Sequence, residues 1–149
     1  MKEKVFINST LAKNEKILFT YDLHWIVWLR VVLLFIVGLL TLPILIGVIF
    51  LIAAIFSILS IKGTEYGITD KKIVGKTGFI FRRNIDLRLN KIESVILDQG
   101  IFGRMFGYGH IVFNGTGSGK NGFLFVQNPM LVKNQINQVL EDIEEKNKQ

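Results

Sequence analysis

The feature that most restricts this chain is a long stretch with no charge in it. No Asp, Glu, Lys or Arg occurs between Arg30 and Lys62, and 25 of the 31 positions from Val31 to Ile61 are apolar. An uninterrupted apolar run of about 18 residues or more reads as a membrane span rather than a buried core helix. As one helix, Val31–Ile61 would extend about 46 Å, too long for a hydrocarbon core of about 30 Å. With the start moved back to Leu23, the run divides near Pro43, because proline lacks an amide hydrogen and disfavours helix at the residue before it. The expectation is a transmembrane helical hairpin over 23–61, Leu23–Leu42 then Ile44–Ile61, turning at Thr41-Leu42-Pro43.

The flanks set the orientation of such a hairpin. Lys2, Lys4, Lys13, Lys16 and Arg30 precede it, Lys62, Lys71, Lys72 and Lys76 follow it, and the turn carries no charge. By the positive-inside rule this predicts a multi-pass protein of the bacterial cytoplasmic (inner) membrane with both termini cytoplasmic. Trp25 and Trp28 suit an interfacial aromatic belt, and Arg30 can snorkel toward headgroups; with Lys62 they are the expected membrane-interface anchors.

After the hairpin the pattern changes. Short apolar stretches of strand length follow one another, separated by Gly and Asp/Asn turns, which reads as all-β. Ile85, Leu87 and Leu89 alternate with Asp86, Arg88 and Asn90, as in a strand with one wet face. Further strands are predicted at Glu65–Thr69, Lys72–Thr77, Ile92–Leu97, His110–Asn114 and Phe123–Gln127. The last element differs: Asn128 and Pro129 open a helix over 129–145, whose Val132, Ile136, Val139, Leu140 and Ile143 form one apolar stripe. Its acidic end opposes the helix dipole, so fraying is expected after about Ile143. The organisation is thus an N-terminal segment over 1–22, taken as cytoplasmic, the hairpin over 23–61, and a domain over 62–149, likewise cytoplasmic. Ile17, Phe19 and Tyr21 alternate within 15–23, which reads either as a further strand of the same domain or as part of the N-terminal segment.

Little in the sequence points to chemistry. There is no cysteine, hence no disulfide, thiolate nucleophile or thiolate metal site. Only His24 and His110 exist, far apart and in different elements, so a histidine metal site is not expected. Ser94 has no histidine near it in sequence. Gly117–Gly122 fits G-x-G-x-x-G in letters but lacks the strand–helix–strand setting that would aim a helix at phosphate, and it reads as a hairpin loop. No cofactor is called for, and the chain is not expected to be an enzyme. The pI of about 9.7 raises nucleic-acid binding, but a membrane tether explains the basic balance more simply, and no nucleic acid is expected.

Several blocks in order carry a resemblance: Thr64–Gly78 (TEYGITDKKIVGKTG), Leu89–Val95 (LNKIESV), Asp98–Gly109 (DQGIFGRMFGYG) and Asn114–Gly119 (NGTGSG), with His24–Arg30 (HWIVWLR) ahead of the apolar run. Together they resemble the bacterial pleckstrin-homology domain family over about Leu11–Leu140. The resemblance implies a pleckstrin-homology-like antiparallel β-barrel or sandwich of about seven strands capped by a C-terminal α-helix. With the hairpin, the expected class is an α+β membrane protein. The resemblance supplies no catalytic residue and no defined ligand.

Two candidate sites remain. Lys71, Lys72, Lys76, Arg82, Arg83, Arg88 and Lys91 face a single acid, Asp86, within 21 positions. Of these, Lys71, Lys72, Lys76, Arg82 and Arg83 are the candidate contacts to anionic lipid headgroups. The segment Gly100–Gly109 is read as a compact turn whose Phe102, Met105 and Phe106 close one end of the barrel. Alternatively it is a partner-docking loop presenting Phe102, Arg104, Phe106 and Tyr108. The expected function is a non-enzymatic, membrane-anchored scaffold or binding module at the cytoplasmic face, its partners the lipid bilayer, anionic headgroups, a protein or a second copy. The alternative is an accessory subunit of a membrane transport or export complex, its hairpin packed against another membrane protein.

Overall fold

The computed structural model describes residues 5–13, 15–78, 82–115 and 121–148. Helix α1 (Val5–Thr10) and strand β1 (Ile17–Tyr21) lead into two apolar helices, α2 (Ile26–Leu40) and α3 (Gly47–Lys62). Strands β2 (Glu65–Thr69), β3 (Lys72–Thr77), β4 (Arg83–Arg88) and β5 (Ile92–Asp98) follow, then the short helix α4 (Ile101–Phe106), β6 (Tyr108–Gly115), β7 (Asn121–Gln127) and α5 (Pro129–Lys148). The strands form two antiparallel sheets, β1-β2-β3-β4 and β5-β6-β7. Because β1 pairs with β2, in register Tyr21 to Tyr66, the α2–α3 hairpin is an excursion between neighbouring strands of one sheet.

The core lies between the sheets, under α5. Period-2 alternation turns Ile85 and Leu87 inward while Asp86 and Arg88 stay exposed. Tyr66, Ile68, Ile73, Ile85 and Leu87 meet Ile111, Phe113, Phe123 and Val126 of the second sheet. The Tyr66 and Phe123 rings stack at 4.5 Å. Gly75 makes room for them, since a Cβ there would sit 3.1 Å from Tyr66 Cδ1. The stripe Val132, Ile136 and Val139 of α5 is buried against this layer. On the outer face of the first sheet, α1 is held by the Glu65 carboxylate, which accepts the Phe6 and Ile7 amides at 3.0 and 3.3 Å. Ile7 is fully buried there, over Gly67.

Four expectations are corrected. Among the described residues no helix is long and apolar enough to cross a membrane. This overturns the transmembrane hairpin, the membrane-protein class, the inner-membrane placement and the multi-pass orientation with both termini cytoplasmic. The physical reason is how the apolar run is divided. Leu23 bridges to Val126, and the His24 amide donates to the Phe125 carbonyl at 2.7 Å, so α2 starts only at Ile26. Residues 41–46 go to the connection, a 3-10 turn over Leu42–Ile44 followed by Leu45 in the left-handed region. The helices keep 15 and 16 residues, about 22 and 24 Å at ~1.5 Å per residue.

The barrel is the second correction. The described strands make two separate sheets, because the 3-10 turn Leu89–Lys91 swings the chain from β4 to β5 with no ladder between them. Third, Gly100–Gly109 is not a turn closing the core: it holds α4, with Phe102 and Met105 each 67% exposed. Fourth, α5 continues to Lys148, beyond the expected frayed end. Most of the Gly117–Gly122 loop, residues 117–120, lies outside the described residues.

Candidate functional site

The two apolar helices press together along a seam of small residues. A Cβ added at Gly47 would overlap the Gly38 carbonyl, and one at Gly38 would meet Leu51 at 2.9 Å, so both glycines permit backbone contact. Ala54 and Val31 are buried in the hairpin as well. Away from this seam both helices carry a run of exposed apolar side chains. Leu29, Val32, Leu33, Phe35, Ile36 and Leu39 of α2 and Ile49, Ile52, Ile55 and Phe56 of α3 are exposed, on the arc of each helix turned away from the seam. A contiguous apolar surface of this extent marks a place of interaction.

The base of the hairpin is aromatic. His24 is buried, its ring 5.4 Å from that of Trp25 and 5.6 Å from that of Tyr108. Its Nδ1 accepts the Ile26 amide at 3.2 Å, which fixes the first turn of α2. Trp25 in turn meets Phe106 edge-on at 6.3 Å, so α4 is tied to the start of α2. Trp28 and Arg30 are exposed on the first turns of α2, and Lys62 is exposed at the end of α3. Of the expected docking residues, Phe106 and Tyr108 are thus joined to the base, while Phe102 and Arg104 stand exposed on α4.

The five candidate cations are not one cluster. Along β3 and β4, Thr77 pairs with Arg83 at one end and Lys72 with Arg88 at the other, about 17 Å away along the strand. The Thr77 end abuts the hairpin, since a Cβ on Gly63 would lie 3.5 Å from the Gly78 carbonyl oxygen. Arg82 and Arg83, both exposed, therefore share the hairpin end with Lys62. Lys71 sits at the far turn. Lys72 Nζ donates to Asp86 at 2.8 Å and to the Thr10 carbonyl at 3.1 Å, and Lys76 Nζ lies 5.1 Å from the centre of the Phe6 ring. Those two lysines hold the sheet surface and α1.

A cleft of about 330 Å³ opens between α4 and one end of the second sheet, lined by Asp98, Ile101, Phe102, Tyr108, His110 and Phe125. It arises where pairing of β6 with β7 breaks register between Gly109 and Ile111. At this irregularity Phe125 takes φ 52, in the left-handed region. Its amide donates to His110 Nδ1 at 3.0 Å, and its ring meets His110 edge-on at 4.7 Å and Tyr108 at 5.7 Å. Gln99 braces the opposite wall, donating from its side-chain amide to the Gly103 and Tyr108 carbonyls at 3.0 and 2.9 Å. Sequence reasoning missed His110, Phe125 and Asp98 as neighbours. No spacing rule links them, although the irregular strand that joins them is a known companion of functional sites.

In the comparisons with known proteins, the family described as Bacterial PH domain matches residues 26–147. No curated protein and no solved structure matches the chain.

Proposed function

The chain belongs to the bacterial PH domain family, and from that premise we propose that it is a non-catalytic binding module whose hairpin end rests on a lipid surface carrying anionic headgroups. Family membership itself suggests a binding or scaffold module, with lipids or proteins as the general kind of partner. Lipid is favoured by one observation above others: α2 and α3 each leave a broad apolar arc bare on the side turned away from their seam, so the pair is uncovered on both its outer sides. A folded partner covers one side of a helix pair, whereas a fluid acyl phase covers every side. At the base, Trp25 and Trp28 are amphipathic rings suited to a headgroup layer. Lys62, Arg82 and Arg83 gather at this same end, and each basic residue near an anionic surface is worth on the order of 1 kcal/mol. The contact is with one side of the bilayer, since the helices are too short to cross it.

The test is flotation of the full chain, diluted from detergent, with vesicles of phosphatidylcholine alone or mixed with phosphatidylglycerol. Co-flotation with both is expected, several-fold stronger on the anionic vesicles, with the difference shrinking as salt rises. Failure to float with either composition would overturn lipid as the partner. Equal, salt-independent flotation would overturn the role of the cations.

A further inference from the structure

We propose that the cleft beneath α4 binds an alkylammonium group, carried by a lipid headgroup or by a free small amine. The proposal draws on the lipid-facing reading only for the source of the ligand; the site stands on its own geometry. Three aromatic side chains, Phe102, Tyr108 and Phe125, line a space of about 330 Å³ together with one carboxylate, Asp98. That volume is at the lower end of small-ligand pockets and ample for a substituted ammonium. Aromatic faces attract cations through the ring quadrupole, and this is the usual way a quaternary ammonium is recognised. Asp98 adds the opposite charge at the rim: it is exposed at the end of β5, directly across the ladder from His110. In a chain of net charge +6, an acid among aromatic rings selects a cation where most of the surface repels one.

A second observation is the backbone of Phe125. A bulky residue in the left-handed region is strained, and such strain persists only where the surroundings over-determine it. Here the amide is held by His110, the carbonyl by the His24 amide, and the ring by His110 and Tyr108. The strain holds an aromatic side chain at the cleft wall, a position where glycine would satisfy the backbone better. His110 contributes by position: its Nδ1 accepts the Phe125 amide and so holds the strained residue at the cleft wall.

The experiment titrates choline, and in parallel its uncharged isostere 3,3-dimethylbutanol, into the full chain in a non-ionic detergent, following the Tyr108 and His110 side-chain resonances. Choline is expected to shift both resonances and the neutral isostere to bind roughly fivefold more weakly or worse. Asp98→Asn should weaken choline by a similar factor. Phe125→Gly should abolish the shifts while leaving thermal stability unchanged or higher, because it relieves the backbone. Equal binding of the two probes, or full choline affinity in both variants, would overturn the proposal. Displacement of choline by phosphatidylcholine vesicles and not by phosphatidylglycerol vesicles would identify a headgroup as the source; no displacement by either would leave a free amine. Since choline binding is read without vesicles, its failure and a failure of flotation are separate results.

Discussion

Thr69 and Glu15 form a small buried polar unit at the turn that opens β3. The Glu15 carboxylate accepts the Thr69 hydroxyl at 2.6 Å and the Ala12 amide at 2.8 Å, while the Thr69 oxygen accepts the Lys72 amide at 3.0 Å. Thr69→Val keeps the shape but leaves the buried Glu15 carboxylate and the part-buried Lys72 amide without their partner, so a loss of about 1–3 kcal/mol is expected in urea unfolding. Burial also pushes the phenols of Tyr21 and Tyr66 above the ordinary tyrosine range; at Tyr66 the Leu124 amide, which donates to its oxygen, partly opposes this. The sign follows from proton binding. Above about pH 10 the unfolded phenols ionise while the folded ones keep their protons. Their contribution is therefore whole below about pH 10 and lost progressively above it. Urea midpoints should fall between about pH 9 and 11 by less in Tyr66→Phe than in the parent chain. At this scale the sequence shows which residues are buried, through their alternation. It does not show Phe125, whose place depends on a left-handed backbone that no side-chain pattern announces.

Among the elements, the strands were the most legible: β2 and β3 lie where the short apolar stretches and their Gly and Asp punctuation put them. Helix lengths were not. A charge-free run shows where apolar residues stop, but not that Leu23 and His24 engage β7 or that six residues turn at Pro43. The short helix α4 was hidden by its glycines, which read as turn formers. Gly100 and Gly107 in fact bracket the helix, and Gly107, at φ 78, ends it in the left-handed C-terminal position where glycine is favoured. The hairpin seam offers a direct check. Gly47→Ala places a methyl against the Gly38 carbonyl and the Leu42 backbone, and should destabilise the helices by about 1–3 kcal/mol, read as a lower melting temperature in detergent. Gly100→Ala, with nothing within 4 Å and φ −70, should leave it unchanged.

For the molecule as a whole, the two sheets give the domain two unlike ends. One carries the hairpin with Lys62, Arg82 and Arg83; the other carries the Asp70–Lys71 turn, held to the N-terminal segment by the Asp70 amide donating to the Lys16 carbonyl at 3.0 Å. The basic stretch was legible as composition, whereas its division between ends depends on strand direction. If charge acts at the hairpin end, Lys62→Gln/Arg83→Gln should lose most of the preference for anionic vesicles, while Lys71→Gln keeps it; flotation at low salt checks both. The insertion of the hairpin between β1 and β2 has a mechanical corollary. Its two legs run into strands that lie side by side and enter the sheet at the same end. A pull on the tip therefore loads both strands in one direction and does not shear the ladder between them, so the hairpin can serve as a handle by which the domain is towed and turned as one body.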